Sequence, residues 1–226
     1  PPRSTLFPYT TLFRSKYNYD LATKLAEEAN KLPQGEEKLK KANEAREAFK
    51  NTIPYYQNIF QNFQHTKWGI SSLYLLAWCY TNSRDFLGGA EKFKLFCEKE
   101  MQKEDDKDIG SLADAKLRIA DNYIQQAGIL DKEAEALRIK AAEIAANMPA
   151  SAPAEPAKTE KKDEKKDAAK DAPKDSKDKQ AEPAKQADAK DEGTEGMSPV
   201  QLNAKADELN KQAEGLYKEA LKHLIE

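Results

Sequence analysis

Cysteine and histidine are nearly absent: the 226 residues hold two of each. Two Cys cannot staple a disulfide scaffold. His65 and His223 have no Cys or second His beside them in sequence, so no metal site is expected. No Gly-rich phosphate loop, His-Glu-x-x-His, Cys-x-x-Cys or nucleophile elbow occurs. No nucleophile, base and orienting group stand at a working spacing, so neither intrinsic catalysis nor a cofactor is expected. No run approaches the ~18 apolar residues of a membrane span. An excess of charge of one sign is missing as well. Lys and Arg number 37 and Asp and Glu 39, a net charge of −2, which lacks the basic footprint that nucleic acid requires. The acidic stretch 104–108, followed by Gly110, resembles a calcium loop in composition only. It has neither the alternating Asp/Asn spacing nor the distal bidentate Glu, and is expected to be a solvated loop.

Apolar residues are scarce, 39 % against a usual ~45–50 %, and the scarcity is local. Residues 150–196 contain no Val, Ile, Leu, Met, Phe, Tyr or Trp, but 11 Lys, 13 Asp or Glu, 11 Ala and 4 Pro. Such a segment cannot bury enough apolar surface to offset the entropy of ordering, so 150–197 reads as a disordered linker. As a flexible chain its ends would lie ~35–40 Å apart on average. A marginal Ala/Lys/Asp helix over 159–170 is the one local structure its composition allows.

The rest is helical by period, with no strand-type alternation. The spacing predicts a helix over 17–32, ended by Leu32-Pro33-Gln34-Gly35. A second begins near Glu36, with a kink or break near 51–53 forced by Pro54. Helices follow over 69–81 and 86–101. Ser111 with Asp114 reads as a capping box opening a helix to about Gln126, and a separate helix is expected over 131–147. Ser198-Pro199-Val200-Gln201 is a capping box with Pro at the first helical position, so helix resumes there.

The first fifteen residues, PPRSTLFPYTTLFRS, are similar position for position to the translation of a short-read sequencing adapter. They are expected to be foreign to the natural chain, which would then begin in mid-gene at Lys16. The helical pattern also runs to Glu226 without a stop signal, so a fragment open at both ends is expected.

Short-loop helices at regular spacing raise the question of repeats. The clearest unit spans 73–101. Leu73, Leu76, Ala77 and Tyr80 share one face of its first helix, Asp85-Phe86 makes the turn, and Gly89, Phe93 and Phe96 face back from the second. Echoes occur at Tyr56, Phe60 and Phe63, at Leu117, Ile119, Ala120 and Tyr123, and at Ala213, Tyr217 and Ala220. This pattern resembles the tetratricopeptide repeat, including its bacterial periplasmic members of the Tol-system-coordinator and outer-membrane-assembly type. The resemblance implies an all-α fold, a short right-handed solenoid of helix hairpins over 16–149, with a further repeat-like helix over 198–226. Ala77 and Gly89 would be the small positions that let the two helices approach; Tyr80, Phe86 and Phe93 would fill the gaps. The family usually has Ala where Gly89 and Phe96 stand here.

The family's concave groove would then be lined by Tyr74, Trp78 and Asn82, and one unit later by Asp114, Leu117, Asp121 and Gln125. The alternative for the two aromatics is packing against the preceding hairpin through Tyr56 and Phe60. Aromatics at such positions anchor partner peptides. The family's grip on a terminal carboxylate uses basic side chains and Asn at positions that Tyr74, Trp78, Leu117 and Asp121 occupy here, so that role is not expected. The resemblance implies a non-catalytic scaffold for a protein or peptide partner, with a cell-envelope or periplasmic setting favoured over the cytoplasm. Two other readings stay open: the docking arm of a larger enzyme, and a purely structural helical spacer. Cys79 and Cys97, on the two helices of one hairpin, fall ~9 Å apart along its axis, beyond the ~7 Å of a disulfide, and are expected to be buried free thiols. An adapter-free read of the source locus is expected to replace the codons before Lys16; finding PPRSTLFPYTTLFRS encoded there would overturn the adapter reading.

Overall fold

A computed structural model describes residues 7–103, 107–147, 194 and 196–225. Among these the chain is all-α, with six helices and no strand: α1 (Phe7–Lys31), α2 (Glu36–Phe63), α3 (Lys67–Asn82), α4 (Phe86–Met101), α5 (Ile109–Asn147) and α6 (Pro199–Ile225). Each helix packs chiefly on the next in sequence, and α3 also touches α5. No helix among the described residues is long and apolar enough to cross a membrane. The linker readings for 150–193, the transient helix over 159–170 and the middle of the acidic loop, 104–106, lie outside the described residues.

Local chemistry accounts for most of the boundaries. Residues 7–15 form the first turns of α1, where Ser15 is buried and its Oγ donates to the Leu12 carbonyl at 2.8 Å. Thr66 caps α3 by accepting from the Gly69 amide at 3.1 Å. Gly69 is required there, since a Cβ would run into the Phe63 carbonyl oxygen. Asp85 caps α4 through the Gly88 amide at 2.9 Å. The Ser198 box closes in both directions: the Ser198 amide donates to Gln201 Oε1 at 2.9 Å and the Gln201 amide to Ser198 Oγ at 3.3 Å.

Three boundary expectations are corrected. Pro54 does not break the helix; α2 runs through it. Pro54 lies on the exposed side of α2, where water can replace the missing donor, while Phe49, Thr52, Tyr56 and Ile59 stay buried along the opposite face. The capping box at Ser111 and Asp114 is not formed. Asp108 does that work, accepting from the Ser111 amide at 3.0 Å and the Ser111 hydroxyl at 2.7 Å, which holds its carboxyl below the usual range. The two helices expected over 111–126 and 131–147 are one helix of 39 residues. Gly128 would cost about 1 kcal/mol in a lone helix. Here a buried stripe of Ala127, Ala134 and Ala141 passes it on a common face.

That stripe meets another on α6, made by Ala206, Ala213 and Ala220, with Leu202 at its start. Tyr217 Oη donates to Asp131 at 2.9 Å, Arg138 pairs with Asp207 at 2.9 Å, and the Tyr123 and His223 rings stack at 6.0 Å. This antiparallel register sets each alanine of α5 opposite one of α6, so the backbones can approach to the short end of the ~8–10 Å range for packed helices. α5 and α6 therefore form one hairpin, and the charged linker is an insertion at its tip. Lys140 Nζ donates to Thr194 Oγ1 at 2.7 Å, joining the returning chain to the last turns of α5.

The core runs through α1–α5. Leu73, Leu76, Ala77 and Phe93 are its centre, with Tyr19 set edge-on to Phe49 at 5.7 Å and to Tyr56 at 6.2 Å. At the other end of α4, Glu100 is buried against Lys103 Nζ at 2.6 Å and accepts the Asp108 amide at 2.7 Å, tying the end of α4 to the start of α5. Removing one partner from such a buried pair costs about 3–5 kcal/mol.

Cys79 and Cys97 are buried and free. Burial pushes the Cys79 thiol up to about 12. Burial, then the neighbouring Cys79 and Tyr74, pushes the Tyr19 phenol up to about 12, and burial raises Tyr56 further. All three are neutral in the folded chain and ionise near pH 9–10 once unfolded. Their stabilising contribution is therefore complete below about pH 9 and falls as pH rises toward about 12. Urea midpoints are expected to drop steeply over that window, and Tyr56→Phe is expected to flatten the drop; a flat profile would refute the burial of these groups.

Candidate functional site

The predicted groove residues lie on two helices that flank α4. α3 carries Tyr74, Trp78 and Asn82; α5 carries Asp114, Leu117, Asp121 and Gln125. The floor between them is aromatic. Phe93 is fully buried, with Tyr74 at 5.7 Å and Trp78 at 5.8 Å, both edge-on, and Phe96 lies 5.3 Å from Tyr74. The ring partners of Tyr74 and Trp78 are each other and Phe93 and Phe96 of α4, rather than the Tyr56 and Phe60 of the expected alternative.

A polar strap crosses from α3 to α5 above that floor. Tyr74 Oη donates to Asp114 Oδ2 at 2.6 Å. Arg118 Nε donates to Asp114 Oδ1 at 3.3 Å and Nη1 to Asp121 Oδ2 at 3.0 Å. The Arg118 guanidinium also lies over the Trp78 ring, 4.9 Å from its centre. One turn on, Thr81 Oγ1 donates to Asn122 Oδ1 at 3.0 Å, and Asn122 Nδ2 donates to the Arg118 carbonyl at 2.9 Å. Burial, then the Asp114 carboxylate accepting its proton, raises the Tyr74 phenol above its ordinary value, so it remains a donor.

Comparison with family models, curated proteins and solved structures returns no match. The chemistry of the site rests on its geometry.

Trp78, Asn82, Asp121 and Gln125 line one open cleft of about 440 Å³. Tyr74 and Asp114 stand beside it as the strap, with Tyr74 lining the neighbouring cavity of about 430 Å³ above Phe96 and Glu100. Leu117 is 46 % exposed and lines neither cavity. Of the residues expected to form a repeat core, Leu73, Leu76, Ala77, Gly89, Phe93 and Phe96 are buried. Tyr80 is half-buried, with Oη accepting from Gln57 Nε2 at 2.8 Å, and Phe86 is half-buried at the cleft wall.

Residues the sequence did not point to complete the cleft: Arg46 from α2, Thr81, Arg84 from the α3–α4 turn, Arg118 and Asn122. The spacing of Asp114, Arg118 and Asp121 along one helix face is a local signal for Arg118. Arg46 has no such signal, since only the fold brings it to α3. Among the described residues no group of three His, Cys, Asp or Glu side chains could hold a metal ion.

Gly89 stands where a side chain has no room. A Cβ there would lie 2.5 Å from Thr81 Oγ1 and 3.2 Å from Asn122 Oδ1. The position is empty because the Thr81–Asn122 bond fills it. Gly89→Ala is expected to destabilise the chain by about 1–3 kcal/mol through overpacking, and Thr81→Ala in the same chain to recover most of that loss. A Gly89→Ala chain with an unchanged thermal midpoint would show the contact to be loose.

Proposed function

We propose that the chain is a non-catalytic protein-interaction scaffold of tetratricopeptide type, taking a peptide or a partner helix in the cleft between α3 and α5. Support for the repeat architecture comes from helices that pack in chain order, and from the burial of the two small residues Ala77 on α3 and Gly89 on α4. The observation that carries the binding reading is Trp78. Its ring is half-buried, braced by Phe93 and Arg118, and borders an open cleft with Asn82, Asp121 and Gln125 around it. A rigid aromatic inside a polar surround is the arrangement that hot spots take. A cell-envelope setting is carried by the family resemblance alone. A second reading, the structural spacer, is favoured by the α5–α6 hairpin, whose paired alanine stripes make a stiff arm.

Random-peptide display against the full chain, read by Trp78 emission in a Trp68→Phe background, separates the two. The scaffold reading expects enriched peptides to shift the emission and Trp78→Ala, followed through the anisotropy of fluorescein-labelled peptides, to weaken them by tenfold or more, about 1.4 kcal/mol or above. No enriched peptide, or enriched peptides indifferent to Trp78→Ala, would favour the spacer.

A further inference from the structure

We propose that Arg46 and Arg84 form a carboxylate-binding pair, and that the partner is an acidic peptide segment; this rests on the scaffold reading above. The cleft beside Trp78 and a second cleft of about 610 Å³, lined by Ile53, Pro54, Gln57 and Tyr80 among others, share these two arginines. The pair thus stands where the two clefts meet, with Trp78 and Phe86 as apolar groups on one side and Ile53, Pro54 and Tyr80 on the other; Asp121 also lines the first cleft, and Glu47 and Asp85 the second. Among the described residues neither guanidinium has a carboxylate within ion-pair distance, whereas Arg118 is held by both Asp114 and Asp121. Arg46 makes one side-chain bond, donating to Asn43 Oδ1 at 2.8 Å. Burial and the like charge of Arg84 hold Arg46 below its ordinary value, a tension that an incoming anion would relieve.

The backbone at Arg84 points the same way. α3 ends in a Schellman turn: the Asp85 amide donates to the Tyr80 carbonyl at 2.9 Å and the Arg84 amide to the Thr81 carbonyl at 3.0 Å. The residue at its left-handed position is Arg84, at φ 69°. Glycine is the usual occupant of that position, since a side chain there is strained. The chain places an arginine with no ion-pair partner among the described residues where folding alone favours glycine. Guanidinium forks grip carboxylates through two parallel bonds, and the paired clefts, of about 610 and 440 Å³, offer room for the side chains on either side of one. A free phosphate would leave both apolar walls uncovered.

The test uses the full chain with Trp68→Phe. Probes are acetylated, amidated hexapeptides with a central Glu-Asp flanked by leucines, the same peptide with Gln-Asn, and inorganic phosphate alone. The acidic peptide is expected to bind at least about tenfold more tightly than its amide twin, and to weaken as NaCl rises from about 50 to about 500 mM. Arg84→Gly is expected to lose about tenfold in acidic-peptide affinity with an unchanged or higher thermal midpoint, which separates binding from folding; Arg46→Gln should lose a similar factor. Equal affinity for the two peptides, or an Arg84→Gly chain that binds unchanged, would overturn the pairing. Phosphate competing as well as the acidic peptide would replace the peptide by a simple anion. If neutral peptides bind and Trp78→Ala abolishes them, the scaffold reading stands and only the arginine inference falls. If display yields no peptide at all, both fall.

Discussion

The cleft depends on one steric constraint, the absence of a side chain at residue 89. α3 and α4 approach at Thr81 and Gly89, and Thr81 occupies the space where a Cβ would stand. From that position Thr81 reaches Asn122, and Asn122 in turn holds the Arg118 carbonyl. Arg118 then braces Trp78 from α5 while Phe93 braces it from α4. A methyl group at residue 89 would disturb the α3–α5 strap before it touched the apolar core. The helices on either side of α4 are thus coupled mainly by polar bonds, and the core beneath fixes the depth of the cleft.

What was legible in the sequence follows from how local each signal is. α3 and α4 are bounded by Thr66 and Asp85, whose side chains bond amides three residues on, so their positions could be read within one turn. The small pair Ala77 and Gly89 was legible because both lie in one hairpin. Leu73, Leu76 and Phe93, fully buried, follow from the 3.6 period alone. Asp108 was missed at the start of α5 because Ser111 and Asp114 offer a competing local pattern. Asp114 is instead committed to Tyr74, 40 residues away.

The continuity of α5 was illegible for a related reason. Around Gly128 the local sequence favours a break, and what opposes it is α6, which begins beyond the linker. The alanines of α5 recur every seven residues, as do those of α6, but each stripe looks like an ordinary amphipathic face until its partner is known. Their meeting changes the meaning of the charged segment. Between two separate bodies it would set their distance; at the tip of a hairpin its ends are already held together, as the Lys140–Thr194 contact shows. Lengthening such a loop costs little, since closure entropy grows only with the logarithm of length.

The electrostatics of the cleft follow from the same separation between local and distant partners. Arg118 is bracketed by Asp114 and Asp121 on its own helix, so its charge is neutralised where it arises and it can serve as a brace. Arg46 and Arg84 come from different elements and meet only in the folded chain, and among the described residues neither has a carboxylate within ion-pair distance. Folding therefore brings two like charges together and holds one of them in a backbone conformation that favours glycine. Both features oppose stability, and neither is needed for packing: Arg84 is exposed, and the turn it occupies would close with glycine in its place. A charge pair that weakens the free chain but would gain from an incoming anion has its counterpart in a ligand, and the aromatic wall beside it, Trp78 and Phe86, limits that ligand to one with apolar groups close to its carboxylate.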